Sequence, residues 1–153
     1  SAVFSPDGER ALTASNDDSA KIWSAASGEC LQTLTGHADV VKSAVFSPDG
    51  ERALTASNDS SAKIWSAASG ECLQTLTGHV DMVRSAVFSP DGERALTASN
   101  DSSAKIWSAA SGECLQTLAG HRNGLRCWVA TAVFSPGGDR VLTVLGSSAK
   151  IWS

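Results

Sequence analysis

The chain has 153 residues, which is enough for one domain of ordinary size, and its hydrophobic content of 42% can supply a packed core. The 12 basic and 16 acidic residues give a net charge of −4 without any basic block, so the charge pattern does not indicate nucleic-acid binding. No apolar run approaches the ~18 residues of a membrane-spanning helix and no signal-peptide pattern is present, so we expect no contact with a membrane.

Short strands separated by turns are predicted along the whole chain. In residues 43–79 the first strand, "SAVFSP", ends at the turn formed by Pro48, Asp49 and Gly50, and "ERALTAS" follows as the second strand. The turn "NDSS" leads to a third strand, "AKIWS", and the turn "AASGE" leads to a fourth, "CLQTLTG". Strands of about 4–7 residues are typical of antiparallel sheets. Since no stretch has convincing helical spacing, we predict an all-β chain.

This four-strand unit is repeated at a fixed period. The word "AVFSP" begins at residues 2, 44, 86 and 132, so the successive steps are 42, 42 and 46 residues. The first three copies are nearly identical, whereas the fourth contains the insertion "CWVA" and stops after its third strand. A fixed period of this length predicts a single domain of repeats. The repeats are 1–37, 38–79, 80–121 and 122–153.

The pattern "GH…V..AVFSPDG…LTAS..D…KIW" resembles the WD40 repeat, which forms one blade of a β-propeller. The resemblance covers essentially the whole chain. It implies an all-β fold of WD40-type propeller blades, each a four-stranded antiparallel sheet, with four repeats and an incomplete last blade. One departure is systematic, because serine replaces the Asp that usually follows the tryptophan. These serines are Ser24, Ser66, Ser108 and Ser153.

The resemblance also implies a role for the acid, hydroxyl and histidine groups that recur in the repeats. In the family a histidine, a Ser or Thr, an Asp and the tryptophan form a hydrogen-bonded tetrad. Their donor and acceptor capacities fit a chain from Trp through Thr and His to Asp, which leaves no buried polar group unpaired. The complete sets are His37, Thr55, Asp59 and Trp65, and His79, Thr97, Asp101 and Trp107.

The first and fourth repeats carry partial tetrads. The first lacks a preceding histidine, and the fourth has Gly146 where the Asp belongs. The insertion in the fourth repeat contains Trp128, for which we predict either an interface anchor or a product of repeat drift. The partial sets are Thr13, Asp17 and Trp23, and His121, Thr143 and Trp152.

Acid, hydroxyl and histidine are also the groups of a catalytic triad, so a hydrolase is the alternative interpretation. An enzyme needs one such site, whereas this set recurs every 42 residues, as a structural element would. Threonine is also a poor nucleophile within a chain unless a base strongly activates it. Neither a CxxC motif nor a close His–Cys spacing is present. We therefore predict no catalysis, no metal site and no cofactor.

The cysteines indicate a reducing compartment. Cys30, Cys72 and Cys114 stand in the same word, "GECLQTL", and Cys127 lies in the insertion. Equivalent positions in neighbouring repeats point the same way rather than toward one another, so we predict small buried hydrophobes and no disulfides. This usage predicts an intracellular, cytoplasmic location, with the nucleus as the alternative.

The rim of the propeller is the predicted binding surface, because loops on a rigid scaffold carry function. By resemblance to the family, positions after the GH and before the tetrad Asp line this face. Its cations and amides suit an acidic or phosphorylated peptide, although Asp39 and Asp81 offset the charge. A rim of solvated charges without a ligand is the alternative. The rim positions are Val40, Lys42, Met82, Arg84 and Arg126, with Asn16, Asn58 and Asn100.

We therefore predict a non-catalytic protein–protein interaction scaffold that binds a protein or peptide partner on the propeller rim. The alternatives are an assembly unit of a larger propeller without a ligand of its own, and a purely structural or engineered piece. The chain begins with Ser rather than Met, which predicts a fragment or processed product. Its open ends predict part of a longer ring, a homodimer that closes an eight-bladed ring, or a strained four-bladed ring.

Overall fold

The computed structural model describes residues 1–119 and 128–153, and all the regular elements in these ranges are β-strands. Runs rich in Val, Ile, Thr and Trp favour extended backbone, and the Pro-Asp-Gly and Ser-Gly sequences between them form the turns. The strands are β1 (Ala2–Phe4), β2 (Arg10–Ala14), β3 (Ala20–Ser24), β4 (Cys30–Leu34), β5 (Val41–Phe46), β6 (Arg52–Ser57), β7 (Ala62–Ser66), β8 (Cys72–Leu76), β9 (Val83–Phe88), β10 (Arg94–Ser99), β11 (Ser103–Ser108), β12 (Cys114–Ala119), β13 (Thr131–Phe134), β14 (Val141–Leu145) and β15 (Ser148–Trp152).

The strands form four separate antiparallel sheets, each of which follows chain order. We call the sheet of β1–β4 blade 1, that of β5–β8 blade 2, that of β9–β12 blade 3 and that of β13–β15 blade 4. The first three blades have four strands each, and blade 4 has three within the described residues. This arrangement confirms the predicted all-β fold of propeller-type blades with an incomplete last blade.

The first strand of each blade lies innermost. Strands β1, β5, β9 and β13 contact one another in this order, so the blades are arranged in chain order around one centre. At the turn end of these strands the side chains surround a cavity of about 500 Å³. One phenylalanine from each blade lines this cavity. They are Phe4, Phe46, Phe88 and Phe134.

Each consecutive pair of blades shares one hydrophobic core. Leu54 and Ile64 of blade 2 pack with Ala95 and Trp107 of blade 3, and none of these side chains is more than 1% exposed. Equivalent clusters join blade 1 to blade 2 and blade 3 to blade 4. At about 1.5–3 kcal/mol for each large apolar side chain that is fully buried, these interfaces supply most of the stabilisation. The inner blades are therefore buried on both faces.

The turn after each innermost strand is held by a serine and a carboxylate. In blade 2 the hydroxyl of Ser47, which is fully buried, donates to Asp49. Blade 4 has glycine at the position of that aspartate, and here Ser135 donates to Asp139 instead, at 2.8 Å. The altered sequence thus keeps the turn, because a carboxylate two residues later reaches the same hydroxyl.

The serines that replace the usual Asp after the tryptophan have a structural role of their own. Oγ of Ser66 accepts a hydrogen bond from the N–H of Ser69 at 3.2 Å. Ser24 and Ser108 bond to the residues three positions later in the same way. A short side chain with an acceptor oxygen is what such a turn requires, so serine is a sufficient substitute for aspartate here.

The prediction that the cysteines are buried is wrong for the three that the structure describes. Cys30, Cys72 and Cys114 are exposed and free. They begin the outermost strands, whose first residues lie outside the cores between blades. In β4 only Leu34 reaches a core, where it is 1% exposed. Cys127 lies outside the described residues.

Candidate functional site

Trp65, Thr55, His37 and Asp59 form one continuous hydrogen-bonded chain in blade 2. Nε1–H of Trp65 donates to Oγ1 of Thr55 at 2.9 Å, and this oxygen lies 2.7 Å from Nε2 of His37. Nδ1 of His37 lies 2.8 Å from Oδ2 of Asp59. Thr55 is on β6, Trp65 is on β7, His37 precedes β5 and Asp59 lies in the β6–β7 turn. The chain therefore ties the segment that enters the blade to its second and third strands.

One set of proton positions satisfies every member of this chain. The Asp59 carboxylate can only accept, so Nδ1 of His37 carries a proton and donates it. Nε2 of His37 then accepts from the hydroxyl of Thr55, whose oxygen accepts from Trp65. His37 is neutral in this arrangement. Burial lowers the pKa of His37 and outweighs the neighbouring Asp59 carboxylate, which would raise that pKa.

Four hydrogen bonds hold the Asp59 carboxylate. Oδ2 accepts from His37 and from the N–H of Ala38, the latter at 3.0 Å, and Oδ1 accepts from the N–H and the hydroxyl of Ser61 at 2.9 and 2.7 Å. Burial raises the pKa of Asp59, but the hydrogen bonds from Ser61, Ala38 and His37 together lower it to about 2. The ionised carboxylate fixes the linker after His37 to the β6–β7 turn.

Blade 3 contains a second tetrad with the same connections. Trp107 donates to Thr97 at 2.9 Å, Oγ1 of Thr97 lies 2.8 Å from Nε2 of His79, and Nδ1 of His79 lies 2.6 Å from Asp101. Burial lowers the pKa of His79. The pKa of Asp101 is also lowered, because hydrogen bonds from Ser103 and His79 outweigh the effect of burial. The structure thus brings together all eight residues of the two sets defined from the sequence.

Blade 1 contains part of the same chain. Nε1–H of Trp23 donates to Oγ1 of Thr13 at 2.9 Å. Asp17 accepts from the hydroxyl of Ser19 at 2.6 Å, as Asp59 does from Ser61 in blade 2. Within residues 1–37 the Trp–Thr pair and the Asp–Ser pair thus form separately.

Blade 4 also keeps the bond between its tryptophan and its threonine. Nε1–H of Trp152 donates to Oγ1 of Thr143 at 2.9 Å. Gly146, with φ of +49°, lies in the short β14–β15 turn, in the left-handed conformation that favours glycine. His121, the remaining member of this partial set, lies outside the described residues.

The tetrads are unsuited to nucleophilic attack on a substrate. Thr55 and Thr97, which would be the nucleophiles, are both fully buried. Each hydroxyl is also engaged with a tryptophan and a histidine, so no lone pair is directed toward solvent. The geometry instead fixes the register of the strands within each blade.

Four of the predicted rim residues surround one depression between blades 2 and 3. Lys42 and Arg84 occupy equivalent positions of β5 and β9, Asn58 lies in the β6–β7 turn, and Met82 precedes β9. The depression has a volume of about 260 Å³ and no acidic side chain lines it. Oδ1 of Asn58 is buried and has no hydrogen-bond partner among the described residues. The site therefore offers two cations, an apolar side chain and one unsatisfied acceptor.

Arg84 connects this depression to a second one. Its guanidinium lies 5.1 Å from the ring centroid of Trp128, and its Nε donates to Oδ1 of Asn100. The second depression, of about 470 Å³, is lined by Trp128, Asn100 and Asp81 among others. Trp128, which is 49% exposed, was not among the rim positions defined from the sequence, although its place in an insertion before an innermost strand was a usable signal.

Two other predicted rim residues, Asn16 and Val40, do not line either depression. Asn16 is exposed on blade 1, and Val40 is half-buried just before β5. The exposed Asp39 also lies outside both depressions. Arg126 lies outside the described residues. Among the described residues, five of the predicted rim positions thus line the two depressions.

Within residues 1–119 and 128–153, the structure contains neither a metal-ligand cluster nor a membrane-spanning helix. No group of three or more His, Cys, Asp or Glu side chains in these ranges is placed to hold a metal ion. In the same ranges, no helix has the length and hydropathy that spanning a membrane requires.

Comparison with known proteins identifies the repeats. The family model described as "WD domain, G-beta repeat" matches four stretches, residues 1–24, 28–66, 70–108 and 112–153. WD repeat-containing protein 86 of Homo sapiens is 50% identical over 38 residues, which are 25% of this chain and 10% of that protein. The matched stretch therefore spans about a tenth of that relative. Because the family model covers nearly the whole sequence, the chain belongs to the WD40 repeat family.

Proposed function

We propose that this chain is a non-catalytic interaction scaffold that binds an acidic peptide segment at the rim between blades 2 and 3. WD40 repeats generally form non-catalytic scaffolds for protein interactions. The finer assignment, to an acidic peptide, rests on the depression that Lys42, Arg84, Asn58 and Met82 surround.

The groups at this depression match an extended acidic peptide. The Nη atoms of Arg84 and the ammonium of Lys42 are suited to carboxylate or phosphate oxygens. Met82, which is 39% exposed, offers an adaptable apolar contact. Two cations in one depression that no acidic side chain lines are the observation that carries the proposal.

The acidic residues of the loops do not cancel this site. Asp39 lines neither depression, and Asp81 lines the one that contains Trp128. In addition, the N–H groups of Val40 and Met82 donate to the Asp39 and Asp81 carboxylates at 2.7 Å, so these acids are partly engaged by their own backbone. A solvated rim without a ligand therefore has less support than a binding site.

Fluorescence anisotropy with a labelled glutamate-rich peptide, and with a phosphoserine-containing version, tests the proposal. The double variant Lys42→Glu, Arg84→Glu should weaken binding at least tenfold. The matched control is Lys63→Glu, Lys105→Glu, which makes the same charge change on the third strands, where these lysines donate to Thr75 and Thr117. Equal affinity of the rim variant and wild type, or equal loss in both variants, would overturn the proposal.

An intracellular location is also part of the proposal. Its support is the exposure of the free thiols of Cys30, Cys72 and Cys114, which suits a reducing compartment. Acid-quenched extraction followed by maleimide labelling should find these thiols reduced in cells. Disulfide-linked or blocked thiols would contradict it.

A further inference from the structure

A repeated arginine connects each blade to the next. Arg10 extends from blade 1 to blade 2, where its guanidinium lies 5.3 Å from the ring centroid of Phe46. Its Nη2 donates to the carbonyl oxygen of Gly50 at 2.8 Å. The cation therefore contacts an aromatic face and a backbone acceptor of the same neighbouring blade.

We call this contact, in which an arginine of one blade binds a phenylalanine ring and a glycine carbonyl of the next, the connector. The same connector occurs at the two following junctions. Arg52 of blade 2 lies 5.2 Å from the ring of Phe88 and donates to Gly92 of blade 3 at 2.8 Å. Arg94 of blade 3 lies 5.0 Å from the ring of Phe134 and donates to Gly138 of blade 4 at 2.6 Å. Every junction that the structure contains thus has one arginine on the earlier blade and one Phe–Gly acceptor on the later blade.

One arginine and one acceptor of this series are left over. Arg140 of blade 4 is at the donor position, with its side chain 63% exposed and Asp139, at 3.8 Å, as its one ion-pair partner in the described part of the chain. At the acceptor position of blade 1, Phe4 is 71% exposed. A Cβ atom on Gly8 would meet nothing within 4 Å, whereas at Gly50 it would meet the Arg10 guanidinium at 3.2 Å. The two ends therefore carry the two halves of one connector.

The open apolar face of blade 4 is complementary to the open apolar face of blade 1, as the paired faces of the internal interfaces are. The first two internal interfaces each pack a Leu–Ile face of the earlier blade on an Ala–Trp face of the later blade. On blade 4 the Leu–Ile face is open, with Leu142 37% and Ile151 68% exposed. On blade 1 the Ala–Trp face is open, and Trp23 is only half-buried, whereas Trp65 is 1% exposed. Both open faces are large apolar surfaces of the kind that marks an interaction site.

We propose that a second copy of this chain covers both open faces, so that two chains close head to tail into one ring. Blade 4 of each copy packs on blade 1 of the other, and Arg140 donates to the partner's Gly8 above the ring of the partner's Phe4. The two junctions are equivalent by a two-fold axis, so no end remains free. Eight blades lie within the range of known propellers. The argument rests on continuity with the three internal interfaces and is independent of the proposed peptide site.

Light scattering coupled to size-exclusion chromatography tests the proposal on the 153-residue chain. The expected mass is twice 15.8 kDa. Arg140→Glu and Phe4→Lys alter exposed side chains, so both variants should fold, as circular dichroism will verify. Each should be monomeric, because both of its junctions are impaired. Lys42→Glu, at the opposite end of the innermost strands, is the control and should remain a dimer.

Mixing the two variants gives the decisive result. A mixed dimer has one native junction and one junction in which the introduced glutamate meets the introduced lysine, so the equimolar mixture should recover the dimer mass. Failure of the mixture to dimerise, or dimers that persist in either single variant, would overturn the assigned junction. A monomeric wild type would show that other blades or another protein cover these faces. A mass that grows with concentration would show open-ended assembly instead of a closed pair.

Discussion

Oγ1 of Thr55 lies 2.7 Å from Nε2 of His37 in a site from which water is excluded, and this contact decides the charge of the imidazole. The threonine oxygen already accepts from Trp65, so its own proton is directed to Nε2 of His37. A proton on Nε2 would instead turn the Thr55 hydroxyl toward the carbonyl oxygen of Lys63, which is a longer hydrogen bond at 3.4 Å. The threonine is thus the central member of the tetrad, because two other groups depend on it.

Replacing Thr55 with valine should therefore be strongly destabilising. The shape is kept, but the N–H of Trp65 and Nε2 of His37 lose their partner in a buried site. At about 1–3 kcal/mol for each unsatisfied group, the expected loss is roughly 2–6 kcal/mol in the free energy of unfolding. Urea denaturation followed by tryptophan fluorescence measures it.

Thr13→Val is the matched control for that substitution. Thr13 is half-buried, and its hydrogen-bond donor is the half-buried Trp23. At protein concentrations low enough to keep the chain monomeric, water can satisfy both groups after the change, so the expected loss is below about 1 kcal/mol. Equal losses at Thr13 and Thr55 would show that the histidine connection contributes nothing.

The free energy of unfolding should decrease in two separate pH ranges as the solution is acidified. The pKa values of His37 and His79 are lowered from 6.5 by folding, so the unfolded chain binds more protons as the pH decreases below 6.5. The stability from the neutral imidazoles is complete above pH 6.5 and is lost as the pH falls through their folded pKa. Asp59, whose pKa falls from 3.8 to about 2, adds a second loss below pH 3.8. Thermal melts between pH 8 and pH 2 measure both.

The double variant His37→Gln, His79→Gln separates the two ranges. It should be less stable than wild type at pH 7, because the tetrads are broken. Its melting temperature should nevertheless change less between pH 7 and pH 5, since the two depressed histidines are gone. A slope in this interval as steep as that of wild type would assign the effect to other groups.

The sequence was sufficient to predict the strands because the pattern is periodic, and the resemblance to the WD40 repeat implied the members of the two complete tetrads. Identical words at one spacing place His37 and His79 in identical surroundings, so each repeat supports the interpretation of the others. The burial of Cys72 was predicted wrongly for a related reason. Its hydrophobic character was considered, but the edge position of its strand depends on the order of strands in the sheet, which no single repeat reveals.

The contacts between blades could not be predicted from the sequence either. Arg52 reads as an ordinary charged residue at the start of a strand, and its target lies 40 residues further along, in another sheet. The partial exposure of Trp128 and its contact with Arg84 likewise depend on how blade 4 packs against blade 3. Local patterns predict elements, whereas such contacts follow from the rotation between neighbouring blades.

Ser60→Gly should stabilise the chain. Ser60 has φ of +68°, a left-handed conformation that is unfavourable for a residue with a Cβ atom, and glycine adopts it without strain. The larger entropy of glycine in the unfolded chain offsets part of this gain, which leaves about 0.5–1 kcal/mol. Asp18→Gly, at φ of +66° in blade 1, should gain less, because aspartate tolerates this conformation better than serine does. Urea midpoints of the two variants compare the effects, and a loss of stability in Ser60→Gly would contradict the strain argument.

Arg52→Met tests how much the connector stabilises an internal junction. Methionine keeps most of the apolar stem but removes the donor to Gly92 and the cation above Phe88. The expected loss is about 1–3 kcal/mol in the free energy of unfolding, measured by urea denaturation. Arg140→Met is the control, compared with wild type at protein concentrations low enough to keep the chain monomeric, and should cost less than about 0.5 kcal/mol there. Because both changes remove one arginine at equivalent positions, a similar loss in both would mean that the contacts with the next blade contribute no net stability.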